Sequence, residues 1–335
     1  MIILIDGFWG SGKTILRSLL DGHKDLYVSP SQEAILSTFF RNQNKFDFFE
    51  YKDIRLIREL LIESYYYNLE HESINGYLDS DLKKVRKKFN FYEFENFWVS
   101  QLVKKKNWTY KNVLEIIYSS IIKFFFNLPE TPYQKKKVFV ENNSFESHEF
   151  FLKTFEDSKL IIVKKDIPNI IASLVNREVN ERDYKSKGYK KFDFNHLVRK
   201  LNFPLKIRNN YKISDKLIKK FPERVLLTKF ENLIFNTKEE MIKISNFLNI
   251  DFENILLEPT HFGEKILFKD SHVVINKQKH EAKEIFSNYE NNLLNHFTIK
   301  NLYKNYFSLT FLDYLFIMFK YYIKVLYRII KKNDK

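Results

Sequence analysis

The sequence contains no cysteine. This absence excludes a disulfide scaffold, cysteine-ligated zinc, iron–sulfur clusters and a thiol nucleophile. The chain also lacks any run of about 18 uncharged apolar residues, so we expect no ordinary membrane-spanning helix. Disorder is excluded for the chain as a whole, because 44% of its 335 residues are hydrophobic and can form a sizeable core.

Acidic residues are in deficit. The chain has 42 Asp and Glu against 56 Lys and Arg, which gives a net charge of +14. Such an excess favours an anionic partner, for example a phosphate or sulfate ligand, an acidic glycan, a membrane surface or nucleic acid. A basic surface that serves solubility alone is the alternative. No nucleic-acid motif accompanies the charge, so we expect no nucleic-acid partner and regard a basic binding protein with a degenerate nucleotide site as a weak alternative.

Glycine is scarce, with seven residues in the chain, yet three of them lie within residues 7–12. Their clustering marks a place where the backbone must be unhindered. Residues 7–14 spell G-F-W-G-S-G-K-T, a complete match to the phosphate-loop pattern G-x-x-x-x-G-K-[ST]. The apolar segment 2–5 has the composition of a buried parallel strand, and a helix is predicted over 13–21. We therefore predict a phosphate-binding loop between a strand and a helix, with a tight turn that binds nothing as the alternative.

Backbone N–H groups and the helix dipole surround an anion in such a loop. The predicted binding residues are Gly10, Ser11, Gly12, Lys13 and Thr14, of which Lys13 supplies a positive charge and Thr14 a hydroxyl. The pattern does not distinguish one phosphate chemistry from another. A kinase or NTPase would also need an Asp at a strand end to hold magnesium. No good candidate follows the predicted strands, and a P-loop kinase or NTPase that uses ATP and magnesium remains the alternative.

Strands and helices alternate along the chain, which favours an α/β fold. We predict a P-loop-type parallel sheet flanked by helices, with a large helical insertion over 34–135, a loop at 176–200 and a helical C-terminus. The predicted domains are 1–300, the catalytic domain, and 301–335, a basic amphipathic helix. The predicted strands are 2–5, 138–140, 160–163 and 225–227; the predicted helices outside the insertion are 13–21, 147–155, 168–174, 204–220 and 237–248. Within the insertion, helical periodicity covers 53–69 and 112–126.

Four segments beyond the glycines of the loop follow one recurring pattern, in which h is an apolar residue. Residues Thr14–Leu26, T-I-L-R-S-L-L-D-G-H-K-D-L, are similar to T-L-L-x-x-L-L-x-x-H-P-x-h. Residues Asp157–Leu174 look like the strand–turn–helix h-h-x-h-x-R-D-P-R-D-h-h-A-S-h. Residues Leu226–Leu233, L-L-T-K-F-E-N-L, resemble h-h-x-x-Y-E-D-L, and E-P-T-H-F-G at 258–263 resembles a C-terminal donor loop. Together these segments resemble the sulfotransferases that use 3′-phosphoadenosine 5′-phosphosulfate (PAPS), and the resemblance runs in that family's order over residues 2–272.

The resemblance implies a sulfuryl donor, PAPS, and no metal. Lys165 and Ser173 occupy the places of the family's Arg and Ser that hold the donor 3′-phosphate, and Arg177 lies one helical turn further on. The chain departs from the family pattern in the turn at 165–168, which reads K-D-I-P in place of R-D-P-R, and at three further places. Gly10 replaces the usual basic residue before Ser-Gly, Lys13 replaces a Thr, and V-E-N-N-S at 140–144 lacks the lysine of h-E-K-T-P.

A base must accept the acceptor's proton. The resemblance favours Glu33, with His23 second and Glu141 third. A solvated helix residue is the alternative for Glu33, and a capping or packing residue is the alternative for His23. The acceptor is expected to carry a hydroxyl or amine, for example a glycan or lipid-linked glycan bound by the Phe- and Tyr-rich insertion.

No secretory signal follows Met1, so we expect a cytoplasmic chain. Apolar residues of 307–335 recur at three- and four-residue steps, and basic residues crowd the last 16 positions. This pattern predicts an amphipathic helix that lies on an anionic membrane surface, which would place the enzyme peripherally at the inner face of a membrane. A helix that packs on the domain is the alternative.

Overall fold

The computed structural model describes residues 1–42, 53–62, 64, 90–128, 135–141, 145–180, 202–261 and 263–265. Its central element is a parallel sheet of five strands: β1 (Ile2–Gly7), β2 (Leu26–Glu33), β3 (Lys136–Glu141), β4 (Lys159–Lys164) and β5 (Val225–Lys229). The strand order is β2-β3-β1-β4-β5. The predicted α/β fold with a parallel sheet is confirmed, and the carboxyl ends of all five strands share one edge of the sheet.

Ten α-helices form in the described part of the chain. They are α1 (Lys13–Leu20), α2 (Ile35–Asn42), α3 (Ile54–Leu61), α4 (Phe91–Val103), α5 (Tyr110–Phe126), α6 (His148–Thr154), α7 (Ile167–Asn180), α8 (Asn202–Lys220), α9 (Phe230–Phe235) and α10 (Thr237–Leu248). Two short 3₁₀-helices cover Phe145–Ser147 and Asn254–Leu257, and a small antiparallel hairpin joins β6 (Thr260–His261) to β7 (Glu264–Lys265).

The central strand β1 is buried on both faces, as the run of apolar residues predicts. Ile3 and Ile5 face one hydrophobic core, which α1, α9 and α10 complete. Leu4 faces a second core, which contains Phe139 and the apolar side chains of α2–α6. Successive side chains along a strand point to opposite faces, so Asp6 near the carboxyl end of β1 lies on the same face as Leu4.

The chain divides into two compact units, residues 1–165 with 212–277 and residues 166–211 with 278–335. The first unit contains the whole sheet, the phosphate-loop segment and the helices on both faces of the sheet. In the second unit, the described residues form α7 and the first part of α8. No helix in the described part of the chain is long and apolar enough to cross a membrane.

The four predicted strands are confirmed, but strand β2 was not predicted. The predicted loop at 176–200 is wrong at its start, because α7 continues to Asn180. The rest of that loop and the predicted helix at 301–335 lie outside the described residues. The division into domains 1–300 and 301–335 stays a prediction.

Candidate active site

The predicted phosphate loop connects β1 to α1 at the carboxyl edge of the sheet. Gly12 is the N-cap of α1 and has a φ of +93°, a conformation that favours glycine. A Cβ at Gly12 would lie 2.1 Å from Cδ2 of Phe230, and a Cβ at Gly7 would lie 2.6 Å from the Val163 carbonyl oxygen. Both glycines are therefore required by close packing, and the first turn of α1 carries no side-chain cap.

The Lys13 side chain is buried and directed at the sheet edge. Its Nζ donates to the carbonyl oxygen of Glu141 at 2.8 Å and to that of Gly7 at 3.2 Å, and it lies 3.4 Å from Oδ1 of Asp6. Burial lowers the pKa of Lys13, and the neighbouring Asp6 carboxylate opposes that shift. The ammonium thus lies between the loop and the end of β3.

Asp6, the penultimate residue of β1, is fully buried. Its Oδ2 lies 2.8 Å from Nε2 of His148, and its Oδ1 accepts from the Gly7 N–H at 2.7 Å. Burial alone would raise the pKa of Asp6, but the charge on Lys13 and the bonds from His148 and Gly7 outweigh burial and lower it to about 2. The carboxylate is therefore ionised inside the protein.

Two further carboxyl groups lie beside Asp6 at this edge. Glu33 pairs with Glu141 across β2 and β3, and the β1–β3 register places Asp6 one residue beyond the pair Ile5–Val140. All three acids are fully buried. The predicted base Glu33 is thus a buried strand residue, and the alternative of a solvated helix residue is wrong. Its Oε1 accepts a hydrogen bond from the Ser29 hydroxyl at 2.7 Å.

Glu141 occupies the middle of this row of acids. Its Oε1 accepts from the Leu36 N–H at 3.0 Å and from the Tyr118 hydroxyl at 3.4 Å, and its Oε2 has no hydrogen-bond partner among the described residues. Burial, reinforced by the Asp6 charge, raises the pKa of Glu141 to about 8. Glu141 is therefore protonated at neutral pH, which leaves fewer charges for Lys13 to balance.

Lys165 contacts an aromatic ring, that of Phe230, which also packs against the phosphate loop. Its side chain is buried, and its Nζ lies 4.3 Å from the centroid of the Phe230 ring. Gly12 packs against the same ring. Such a cation–π contact holds a lysine in a desolvated place. The structure thus brings two predicted residues, Lys165 and Gly12, to one side chain that the sequence did not single out.

Ser173 and Arg177 lie on α7 in the second unit. The Ser173 hydroxyl donates to the Asn169 carbonyl oxygen at 2.9 Å, a common bond for serine inside a helix. Arg177 follows one turn later on the same helix. The spacing predicted for these two residues is therefore present, while their place relative to the loop stays a prediction.

His23 follows α1 at the end that is remote from the loop. Its Nδ1 accepts from the Asp25 N–H at 3.1 Å, and its Nε2 lies 2.9 Å from the Asp251 carbonyl oxygen. These bonds fix the turn between α1 and β2, and they favour the capping and packing role over the catalytic one.

Sequence reasoning missed Asp6, His148, Tyr118 and Phe230. Only Asp6 could have been predicted from the sequence, because it directly precedes the phosphate loop and so lies at the carboxyl end of a strand. The other three reach the site through tertiary packing from distant segments. In the described part of the chain, no group of three or more His, Asp or Glu side chains is arranged to hold a metal ion.

Fold and site together define a class: an α/β protein with a P-loop-type parallel sheet and its polar side chains at the carboxyl edge. A family model described as "Sulfotransferase family" matches residues 3–254. The chain belongs to this family and is a sulfotransferase, an enzyme of the transferase class.

Solved structures that are similar to the chain include two sulfotransferase domains. The sulfotransferase domain of the Synechococcus PCC 7002 olefin synthase is 18% identical, with a TM-score of 0.50, and the match covers 89% of this chain and 94% of that one. The sulfotransferase domain from the curacin biosynthetic pathway is 18% identical, with a TM-score of 0.44, over 88% and 96% of the two chains. The first likeness supports the fold. No curated protein matches the sequence significantly.

Proposed function

We propose that this sulfotransferase moves a sulfuryl group from PAPS to a hydroxyl or amine of an acceptor. The observation that carries the proposal is the position of the Lys13 ammonium, 2.8 Å from the end of β3 and next to the phosphate loop, where buried acids also meet. Sulfuryl transfer must stabilise an anionic leaving group and remove a proton in one place. This edge of the sheet supplies the Lys13 cation for the first task and the Glu33 carboxyl group for the second.

The loop residues fit a nucleotide 5′-phosphate. Glycine at the N-cap of α1 leaves its first turn open to an anion, and the helix dipole favours negative charge there. We assign the 3′-phosphate to Lys165, Ser173 and Arg177. The burial of Lys165 against Phe230, the ring that packs on Gly12, supports this assignment because it keeps a cation close to the loop.

The proposed chemistry is an in-line displacement at sulfur. A bond forms between the acceptor oxygen or nitrogen and sulfur, while the bond from sulfur to the bridging oxygen of the 5′-phosphate breaks. The leaving product, 3′,5′-bisphosphorylated adenosine (PAP), keeps the electron pair, and Lys13 stabilises the charge that grows on the bridging oxygen. Glu33 takes the proton of the acceptor. Glu141 is less suited to this task because it already holds a proton at neutral pH.

We further propose a glycan or lipid-linked glycan as the acceptor. The sequence is rich in aromatic residues, with 34 Phe and 20 Tyr, and Trp9 on the loop is 48% exposed. Aromatic faces suit sugar rings. Peripheral attachment to the inner face of a membrane by 307–335 would bring the enzyme to lipid-linked acceptors; that segment lies outside the described residues.

Donor choice can be tested by label transfer. Purified protein is incubated with a glycolipid extract and either [³⁵S]PAPS or [γ-³²P]ATP with magnesium. Label from PAPS in the glycolipid fraction, lost in Glu33→Gln, is the expected result. Label from ATP alone would support the phosphotransferase alternative, which the family match does not favour.

A further inference from the structure

A buried pair, Asp6 and His148, holds the phosphate-loop lysine and has no part in the transfer chemistry proposed above. Both side chains are fully buried. The Oδ1 atom of Asp6 accepts a hydrogen bond from the Gly7 N–H at 2.7 Å and lies 3.4 Å from the Lys13 Nζ. The Oδ2 atom lies 2.8 Å from the His148 Nε2. One carboxylate therefore contacts the loop backbone, the loop lysine and a histidine on α6.

The direction of these bonds is fixed by Asp6. An ionised carboxylate only accepts hydrogen bonds, so His148 donates through Nε2. The other ring nitrogen, Nδ1, has no hydrogen-bond partner among the described residues. Through this bond, His148 orients Asp6, as a residue that contacts a functional side chain commonly does.

An anion at this position is unfavourable for an enzyme that binds phosphate. Asp6 repels the phosphate that Lys13 attracts, and a buried acid without partners would destabilise the fold. Asp6 offsets this disadvantage because it fixes the orientation of the Lys13 side chain, which has four rotatable bonds and would otherwise be flexible.

We propose that Asp6 and His148 are positioning residues that hold the Lys13 ammonium at the sheet edge for the transition state. The proposal rests on the proposed sulfuryl transfer. It predicts that loss of the Asp6 charge lowers turnover without weakening the binding of a phosphate ligand. A purely structural role would weaken both, because a distorted loop binds and reacts poorly.

The first test uses single variants of the full chain. Asp6→Asn should lower the kcat for PAP release from PAPS about tenfold and leave the Kd for PAP within about twofold or make it tighter. His148→Gln, which retains a donor, should resemble the wild type, whereas His148→Leu should resemble Asp6→Asn. Glu240→Gln is the matched control, since Glu240 is a buried acid bound by Thr228 and Lys243; it should leave kcat unchanged.

The second test is a double-mutant cycle with Lys13→Ala. If Asp6 acts through Lys13, Asp6→Asn should cost nothing further once Lys13 is gone. An equal loss in both backgrounds, or a loss of PAP affinity that matches the loss of kcat, would overturn the proposal. A wild-type chain that neither binds PAP nor releases it from PAPS would contradict the proposed function itself, a result distinct from either of these.

Discussion

At the scale of single residues, Glu141 and Glu240 show how surroundings decide the state of a buried acid. Burial raises the pKa of Glu141 to about 8. Burial would also raise the pKa of Glu240, but hydrogen bonds from Lys243, Thr228 and Asn232 lower it instead. One acid is therefore protonated and the other ionised at neutral pH.

Glu141 makes the stability of the protein fall as pH rises. Between the ordinary glutamate pKa of 4.5, which applies to the unfolded chain, and the folded pKa of about 8, the folded state holds a proton that the unfolded state has lost. At about 1.4 kcal/mol per pKa unit, this difference lowers the free energy of unfolding at pH 7 by about 3 kcal/mol relative to its value below pH 4.5. Glu141→Gln should flatten the decline in the free energy of unfolding between pH 5 and 8, as urea titrations can measure.

Glu240→Gln is the opposing control for this titration. Because its folded pKa is lowered, Glu240 stabilises the protein above its unfolded pKa, and its loss should destabilise at neutral pH. A decline with pH that persists unchanged in Glu141→Gln would show that Glu141 is ionised in the folded protein.

The residues of the site were predictable to different degrees. The loop was predictable because its chemistry is local: three glycines, a lysine and a threonine in one short segment. Glu33 was named as a candidate base, a role that stays a proposal, and its burial was not foreseen. His148 and Tyr118 were not predictable, because a lone His or Tyr in a helix gives no sign of which strand end it will contact.

At the scale of elements, the strands that were predicted are short apolar runs, and β2, the strand of the five-stranded sheet that was missed, is not. β2 reads L-Y-V-S-P-S-Q-E, and its register shifts between Val28 and Gln32. It lies at the edge of the sheet, where a proline such as Pro30 is tolerated because one side of the strand needs no partner. The start of the predicted loop, residues 176–180, is helical. The loop was predicted from polar residues, which indicate solvent exposure but do not by themselves end a helix.

Ser173 on helix α7 is one of the residues proposed to bind the donor's 3′-phosphate. Ser173→Ala should raise the Kd for PAP about tenfold and leave the Kd for adenosine 5′-phosphate unchanged, because only PAP carries the 3′-phosphate. The loss should fall on binding more than on kcat, since the 3′-phosphate is remote from sulfur. Calorimetry with the two nucleotides measures the difference.

Ser100→Ala is the matched control on α4. Like Ser173, Ser100 donates its hydroxyl to a carbonyl oxygen of its own helix, that of Phe97 at 2.7 Å. This variant should bind both nucleotides normally. Equal weakening of PAP and adenosine 5′-phosphate by Ser173→Ala would contradict the assignment of the 3′-phosphate.

At the scale of the whole molecule, the net charge of +14 is concentrated in part at the C-terminal end. Sedimentation with vesicles of phosphatidylglycerol and phosphatidylcholine should pellet the full chain at low salt. Deletion of 307–335, or replacement of Lys320, Lys324 and Arg328 by Gln, should release most of the protein, as should high salt. A full chain that stays in the supernatant would show that the segment does not bind membranes.

Nucleotide choice also belongs at this scale, because the residues predicted to bind the donor come from separate segments of the chain. Trp9 can be used to measure nucleotide binding through its fluorescence. It is 48% exposed on the loop, whereas Trp98 and Trp108, the other two tryptophans, are buried. A change in tryptophan fluorescence on nucleotide binding should disappear in Trp9→Phe, which provides a check that the titrated site is the phosphate loop.

If the phosphate loop binds a sulfuryl donor, it should prefer PAP to ATP–magnesium, and calorimetry with both nucleotides on the same preparation measures that preference. We expect one site per chain that binds PAP at least tenfold more tightly than ATP–magnesium, a difference of about 1.4 kcal/mol. Binding of ATP–magnesium tenfold more tightly than PAP would contradict it.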